Sequence, residues 1–168
     1  NAYAVVQWAI KNANSYFEMH VDEISRLLVL FASGFAILIA LYSLVYQKGH
    51  RNLRHFYACF LVTLGCTNGA LLSNHLITFL IFWGILGITL YKLISSDEEE
   101  AASVAKKTLI LIGAADGLMI LGVGLLWLRT GTLVMTEIHL PTDTVTATLA
   151  FLCLAVGSFT KAGAFPFH

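Results

Sequence analysis

The sequence predicts an all-α fold, a polytopic transmembrane helical bundle of about five spans, from three observations. Of the 168 residues, 58% are hydrophobic and 12% are charged, whereas soluble domains carry about 25% charged residues. The mean hydropathy is +0.78. The charges are gathered between long apolar runs instead of being spread along the chain. Runs of this length are typical of helices that cross a bilayer with every backbone polar group satisfied.

Residues 1–22 are mixed in character. The apolar stretch over 2–10 is too short to cross a bilayer, and Asn12 and Asn14 follow it. We expect an interfacial segment or the end of a preceding helix at 1–22, and the transmembrane bundle over 23–168. The chain lacks an initiator Met and stops beside a predicted helix break, so we interpret it as a fragment of a longer subunit.

Three spans are predicted in the first half of the chain, over residues 23–46, 56–72 and 76–94. The first has an uncharged interior long enough to cross ~30 Å of hydrocarbon at about 1.5 Å per residue. A short basic loop at 47–55 joins the first two spans, and a tight, nearly uncharged turn at 73–75 joins the second and third. Such short connections place consecutive helices side by side.

Two more spans are predicted in the second half. The fourth covers residues 108–128, and the fifth begins near Val145 and reaches a break near Lys161. The polar connection at 95–107 carries an acidic run that suits a solvated loop or the start of the next helix. A mixed loop at 129–144 precedes the fifth span.

Small residues inside the predicted spans favour close helix packing. The Gly113-x-x-x-Gly117 pattern in the fourth span is the spacing of a helix contact face. Other glycines that suit such packing are Gly65, Gly69, Gly84, Gly87 and Gly122.

The lysines and arginines are unevenly distributed between the loops. The loops at 47–55 and 95–107 hold or adjoin most of them, so the positive-inside rule places both loops in the cytoplasm. We expect an integral membrane protein with the lipid bilayer as its partner. Lys+Arg and Asp+Glu balance at 10 each, so the net charge predicts no nucleic-acid partner.

The cysteine and histidine patterns predict neither a metal site nor a haem site. The three cysteines lie inside apolar runs without a CxxC pair, which favours packing roles. Five of the six histidines lie in loops or at span edges, and no two form an i, i+4 ligand pair inside a span. We therefore expect no cofactor. The five are His20, His50, His55, His75 and His139.

Two ionisable residues lie well inside predicted spans, Asp116 and Lys161. A charge is costly at a helix centre in a membrane, so the two residues indicate either an internal polar path or a structural ion pair. Gly163 and Pro166, which both weaken a helix, follow the lysine at once and predict a break. Broken helices expose backbone groups to water-filled cavities, and ion sites gather there.

A buried lysine of this kind is suited to proton transfer. Burial favours a neutral amine and a nearby carboxylate favours a charged ammonium, so together the two effects allow proton exchange near neutral pH. We predict that Lys161 is the central proton relay, that Asp116 is its electrostatic modulator or entry-side group, and that His168 is a candidate next station. Ser158 and Thr160 are expected to help organise water near the lysine.

The last eight residues, K-A-G-A-F-P-F-H over 161–168, resemble a segment of the antiporter-like membrane subunits of respiratory complex I. The same family includes multi-subunit cation/proton antiporters and membrane-bound hydrogenases. Residues 21–25 are similar to its V-D-x-x-S helix start and residues 74–83 to its next landmark, while Asp116 falls where an acidic residue recurs. The resemblance covers roughly residues 20–168.

The resemblance implies that the five spans are the third to seventh helices of a fourteen-helix-type subunit, including most of its first inverted repeat. The family's seventh helix is broken and its lysine relays protons, a role that falls here on Lys161. The family's fifth helix has a glutamate directly after a tryptophan, whereas here Trp83 is followed by Gly84. Without that glutamate, Lys161 either loses charge stabilisation or recruits Asp116 instead.

We therefore predict a proton-translocating membrane subunit of a complex I-like or antiporter-like complex, with no chemistry of its own. The missing glutamate keeps open a non-conducting or divergent membrane partner that docks a soluble subunit, as in inorganic-carbon uptake or hydrogenase-like complexes. A redox subunit that binds haem or quinone is a third hypothesis, and it needs paired histidines that the sequence lacks. Either H⁺ or Na⁺ fits the sequence as the carried ion.

Overall fold

A computed structural model describes residues 18–48, 53–94, 99–139 and 144–164, with the side chains of 99–102 excepted. Within these ranges the chain forms five α-helices and a short 3₁₀ turn, and no β-strand. The architecture is all-α and polytopic, as the sequence predicts. The helices are α1, Glu23–Tyr46; α2, Leu53–Leu72; α3, Leu76–Ile94; α4, Glu99–Thr130; and α5, Val145–Lys161, with the 3₁₀ turn at Met135–Glu137.

The helix bounds follow the predicted apolar runs closely, with one exception. α1 and α3 have the predicted bounds, and α2 begins three residues earlier than predicted. α4 begins at Glu99 instead of near Thr108, so the second half of the polar connection is helical. Its opening sequence, Glu-Glu-Ala-Ala, combines strong helix formers with acidic residues that suit a helix N-terminus.

Four of the described helices are long and apolar enough to cross a membrane, so the chain is an integral membrane protein. They are α1, α2, α3 and the part of α4 over Ser103–Thr130. α5 has 17 residues, or about 25 Å, and is a shorter apolar helix than the full fifth span that the sequence predicts. It ends at Lys161; residues 165–168, which include Pro166 of the predicted break, lie outside the described ranges.

α1 begins where a capping box satisfies its first backbone groups. The Asp22 side chain accepts a hydrogen bond from the Ser25 N–H at 2.7 Å, and the Ser25 hydroxyl accepts one from the Asp22 N–H at 2.9 Å. Only 11% of the apolar window of α1 is buried, so most of its side chains face lipid or further protein. Of the predicted segment 1–22, residues 1–17 lie outside the described ranges.

The described chain divides into two compact units. In the first, the hydroxyl groups of Ser43 on α1 and Tyr57 on α2 lie 3.2 Å apart, within hydrogen-bond distance. α2 and α3 approach each other at Gly69, where a Cβ would lie 2.7 Å from the Phe82 ring, so this contact needs a residue without a side chain. This unit comprises residues 21–48, 53–72, 82–94 and 99–110.

In the second unit, Asn74 joins three segments of the chain. Its side-chain amide donates to the Thr136 hydroxyl at 3.2 Å and accepts from the Thr136 N–H at 3.3 Å, while its own N–H donates to the Glu18 carbonyl at 3.0 Å. Asn74 is 5% exposed, so the predicted turn is a buried junction. The unit comprises residues 18–20, 73–81, 111–139 and 144–164.

Asn74→Ala should destabilise this junction, because it removes both side-chain hydrogen bonds and leaves the Thr136 N–H without its acceptor. We expect the free energy of unfolding to fall by about 1–3 kcal/mol, because each of the two hydrogen bonds lost is worth about 0.5–1.5 kcal/mol. Thr136→Val is the matched control, since it removes one hydroxyl and keeps the backbone bond, and it should cost less. Thermal unfolding of the full-length protein in detergent measures both. An Asn74→Ala variant as stable as the wild type would contradict the junction's role.

His75 follows Asn74 and is also 5% exposed. Its Nδ1 accepts a hydrogen bond from the Ile77 N–H at 3.2 Å, which assigns the proton of the neutral ring to Nε2. Burial lowers the pKa of His75 below its ordinary value of 6.5, because desolvation disfavours the charged imidazolium. The histidine lies in the turn that the sequence predicts, and the fold favours its neutral form.

Because the pKa of His75 is lowered, the direction in which folding stability changes with pH is known. In the unfolded chain His75 gains a proton as the pH drops below 6.5, whereas in the folded chain it gains one only at lower pH. Acidification therefore favours the unfolded chain, and the free energy of unfolding falls as the pH drops from 6.5 through the folded-state pKa. His75→Asn keeps an acceptor near Nδ1. We expect it to melt like the wild type at about pH 8 and to lose less stability at about pH 5. Equal losses on acidification would contradict the assignment.

Candidate functional site

α5 ends in a Schellman motif directly after Lys161. Gly163 has a φ of 65°, in the left-handed region that glycine adopts without strain. The Gly163 N–H donates to the Thr160 carbonyl at 3.1 Å, and the Ala164 N–H donates to the Phe159 carbonyl at 3.0 Å. These two hydrogen bonds define the motif. The interruption predicted beside the lysine is thus a helix end, and Gly163 is its cause.

Lys161 lies in the last turn of α5, and its ammonium group pairs with Asp116 of α4. The Lys161 Nζ is 3.5 Å from the Asp116 Oδ1, and the two side chains are 11% and 24% exposed respectively. A helix C-terminus carries a partial negative charge that stabilises a cation in its last turn. Two sources of negative potential, the carboxylate and the helix end, therefore act on the same ammonium group.

The pair lies near the middle of the apolar stretch of α4. Asp116 is thirteen residues from one end of that 28-residue stretch and fourteen from the other. The Arg129 guanidinium donates to the Thr146 hydroxyl at 2.7 Å, which joins the end of α4 to the start of α5. From that contact, Asp116 and Lys161 lie about 20 Å and 22 Å along their helices. α5 therefore stops at the depth of Asp116.

A close contact between α4 and α5 lies directly beside the pair. At Gly157, one turn before Lys161, a Cβ would lie 2.6 Å from the Met119 Cγ and 3.0 Å from the Ala115 carbonyl oxygen. Ala115 directly precedes Asp116 in the sequence and is 2% exposed. The two backbones approach this closely because position 157 has no side chain.

A second close contact between the same helices lies at Gly122, where a Cβ would lie 2.9 Å from the Leu154 Cγ. The order of the two contacts along the helices makes α4 and α5 antiparallel. Within the described chain, no other helix lies within 4 Å of a Cβ at Gly113 or Gly117, so the contact face predicted for Gly113-x-x-x-Gly117 stays a prediction. Both are exposed, and α4 packs on α5 through a different face.

The hydroxyl groups of Ser158 and Thr160 both donate to carbonyls of α5, and the Ser158 hydroxyl also lies 3.8 Å from the Met119 Sδ of α4. Ser158 donates to the Leu154 carbonyl at 2.8 Å, and Thr160 donates to the Val156 carbonyl at 2.7 Å. Their oxygens keep lone pairs, so each hydroxyl can still accept a hydrogen bond from water or an ammonium group. A role for them in organising water stays a prediction.

Of the three predicted site residues, Lys161 and Asp116 are brought together, and His168 lies outside the described ranges. Position 84, where the resemblance implies a glutamate, is a glycine of α3 at which an added Cβ would meet no atom within 4 Å, and the α3 sequence contains no carboxylate. Among the described residues, no group of three or more His, Cys, Asp or Glu side chains is arranged to hold a metal ion.

Gly157 is not among the residues that the sequence predicts for this site. The signal that could have found it is the spacing of G-S-F-T-K, which puts a glycine four residues before the lysine and on the same helix face. An equivalent signal on α4 is the small Ala115 directly before Asp116.

The fold and the ion pair define a class of protein: polytopic membrane proteins with paired ionisable residues inside their spans, the residues that mark ion pathways. Residues 73–168 match the family described as "NADH:quinone oxidoreductase/Mrp antiporter, TM". This match covers more than half of the chain, so the chain belongs to that family, and the resemblance drawn from its motifs is confirmed.

Individual relatives agree with the family match. The chain is 33% identical over 159 residues to a Na(+)/H(+) antiporter subunit from Alkalihalophilus pseudofirmus, and 31% identical over 160 residues to a Na(+)/H(+) antiporter subunit from Staphylococcus aureus. Both alignments cover 90% of this chain and 20% of the relative, so the chain spans about a fifth of their length. A chain of respiratory complex I from Thermus thermophilus is similar in structure, with a TM-score of 0.73 and 27% identity over 88% of this chain and 33% of that one.

Gly163→Ala should strain the helix end that carries Lys161. A residue with a Cβ in the left-handed region costs roughly 1–2 kcal/mol, and no neighbouring atom lies within 4 Å to add to that cost. Gly131, with a φ of 68°, is the matched control at the end of α4, and Gly131→Ala should lose a similar amount. Gly163→Asn should lose less, because asparagine tolerates this conformation better. Thermal unfolding in detergent measures all three, and an unchanged Gly163→Ala would contradict the assigned helix end.

Proposed function

We propose that this chain is part of an ion-translocating membrane subunit of an antiporter-like or complex I-like complex, and that Lys161 relays protons within the membrane. The observation that carries the proposal is the Lys161–Asp116 pair, whose charged atoms lie 3.5 Å apart near the middle of the membrane-span candidate in α4. The names of the relatives, antiporter subunits and respiratory complex I, support the same class of activity.

The chemistry of the proposed step is a reversible loss of one proton from the Lys161 ammonium. With the proton bound, the pair is neutral overall, because the ammonium balances the Asp116 carboxylate. When the proton passes to an acceptor such as water, the neutral amine remains beside an uncompensated carboxylate. That anion attracts the next proton, since opposite charges within about 4–6 Å favour the charged form of the lysine. Asp116 thus sets how readily the lysine is reloaded.

In this proposal Asp116 serves as the carboxylate partner of Lys161, the role that the resemblance gives to the family's glutamate. A lone ammonium in hydrocarbon is costly, and removing one partner of a buried pair leaves that cost uncompensated. Position 84 offers no carboxylate, whereas Asp116 lies within reach of the lysine from the helix that packs against α5. Of the two outcomes that the missing glutamate leaves open, the geometry favours recruitment of Asp116.

His168 is proposed as the next station because it follows Lys161 by seven residues, beyond the helix end. The partners in this proposal are lipid and the other membrane subunits of a multi-subunit complex, and the carried ion is H⁺, with Na⁺ as the alternative. The bacterial relatives support placement in the inner membrane, with the loops 47–55 and 95–107 on the cytoplasmic side.

A second candidate function is that of a non-conducting membrane subunit that docks a soluble partner. The observation that favours it is Gly84, because a subunit that has lost the family's glutamate has lost one group of the expected proton path. The two candidates differ in what they require of Lys161. A relay needs a side chain that releases its proton, whereas a structural subunit needs at most a buried cation.

Lys161→Ala and Lys161→Arg separate the two candidates. In the full-length subunit within its complex, we expect both variants to reduce sodium-induced proton movement by on the order of a hundredfold, as for a lost proton-transfer group. Arginine keeps the positive charge but holds its proton, so it should not rescue the rate. The measurement is the collapse of a pH gradient in everted membrane vesicles after addition of NaCl. Wild-type rates in both variants would favour the non-conducting subunit.

Asp116→Asn tests the counter-ion role in the same vesicles. Without the anion the charged lysine is less favoured, so the pH–rate profile should move toward lower pH. Glu137→Gln is the matched control, because it removes an exposed carboxylate from the same unit, and its profile should stay in place. Equal profiles for Asp116→Asn and the wild type would remove Asp116 from the proposal.

A further inference from the structure

We propose that Gly157 is a positioning residue that holds α4 and α5 close enough for Lys161 to reach Asp116. This inference rests on the proposed function of the pair, and it adds a residue that neither carries charge nor touches the proton. Two observations support it. Of the glycines on α4 and α5, Gly157 makes the closest approach to the other helix, and the ion pair lies one helical turn away from it.

The contact at Gly157 involves backbone as well as side chain. A Cβ there would lie 2.6 Å from the Met119 Cγ and 2.9 Å from its Sδ, which are parts of a flexible side chain that can move. It would also lie 3.0 Å from the Ala115 carbonyl oxygen, which belongs to the backbone of α4 and cannot turn aside. A methyl group at position 157 therefore requires the backbone of α4 to give by a few tenths of an ångström.

The register makes that separation act on the ion pair. Residues four apart share a helix face, so Gly157 and Lys161 lie on the same side of α5. On α4, Ala115 contacts Gly157 and is followed directly by Asp116. The helix contact and the ion pair are therefore adjacent on both helices. A movement that separates the helices at Gly157 also separates Lys161 from Asp116.

The pair has little tolerance for such a shift. The Nζ–Oδ1 distance of 3.5 Å is already at the long end of the hydrogen-bond range. Lys161 lies in the last turn of α5, where the Schellman motif fixes the helix end, so the backbone cannot extend to restore the contact. Added separation at position 157 lengthens a contact that is already longer than a typical hydrogen bond, and it weakens the attraction between the two groups.

The test is Gly157→Ala in the full-length subunit within its complex, assayed in everted vesicles with NaCl as the probe. We expect the pH–rate profile to move in the same direction as in Asp116→Asn, and the maximum rate to fall. Gly117→Ala is the first control, because it adds the same methyl group to α4 directly after Asp116, where no atom lies within 4 Å. Gly122→Ala is the second, because it crowds the same helix pair away from the lysine. Both should keep the wild-type profile.

Two double variants separate positioning from general damage to the fold. Gly157→Ala with Met119→Ala removes the side-chain clash and keeps the backbone clash, so the shifted profile should persist. Gly157→Ala with Asp116→Asn should show the profile of Asp116→Asn alone, because a residue that acts through the pair has no further effect once the pair is gone. Additive shifts in this second double variant would overturn the inference.

The outcomes also distinguish this inference from the proposed function. If Lys161→Ala keeps the wild-type rate, the proposed relay fails, and the positioning role fails with it. If Lys161→Ala abolishes the rate while Gly157→Ala keeps the wild-type profile, the relay stands and the positioning role alone is overturned. The same holds if Gly117→Ala shifts the profile as far as Gly157→Ala does.

Discussion

The interaction on which this part of the molecule depends is the attraction between one ammonium group and one carboxylate inside an apolar helix pair. Neither Lys161 nor Asp116 is tolerable alone at that depth, because an uncompensated charge in hydrocarbon costs several kcal/mol. Pairing them requires that two consecutive helices, α4 and α5, pack with these two residues at one level. The small residues of α4 and α5, and the end of α5 itself, are arranged around that requirement.

The helix end adds a second source of negative potential to that of the carboxylate. A lysine in the middle of a continuous helix would have its backbone carbonyls bonded to later turns of the same helix. At Lys161 the helix stops, and the partial negative charge of its C-terminus lies beside the ammonium. Gly163 makes this possible by taking a backbone conformation that other residues adopt only at a cost. Electrostatics and backbone geometry therefore act at the same residue.

Much of this arrangement can be predicted from sequence, and the part that cannot has a physical reason. Apolar runs bounded by charge predict the bounds of α1 and α3, and those of α2 to within three residues. Asp116 and Lys161 are found from the sequence because each is an isolated charge in an apolar run. The start of α4 is predicted too late, because a polar sequence with high helix propensity is compatible with both a solvated loop and a helix.

The contacts between helices are the part that local patterns leave open. The pairing of Lys161 with Asp116 depends on the register between residues 45 positions apart, which no local pattern encodes. The Gly113-x-x-x-Gly117 spacing indicates that close packing is possible on that face of α4, and it carries no information on whether a neighbour is there. The junction at Asn74 is missed for the same reason, because its partners lie far away in sequence.

The hydrogen bond between Arg129 and Thr146 has a consequence for motion at the ion pair. α5 is fastened to α4 at its beginning by that hydrogen bond and along its length by the contacts at Gly122 and Gly157. A helix held at three levels resists swinging as a rigid body, so the moving part is the flexible four-carbon stem of the lysine. Exposed side chains change rotamer within picoseconds to nanoseconds, whereas collective helix motions take microseconds or longer. Movement of the amine toward or away from Asp116 therefore does not require α5 to move.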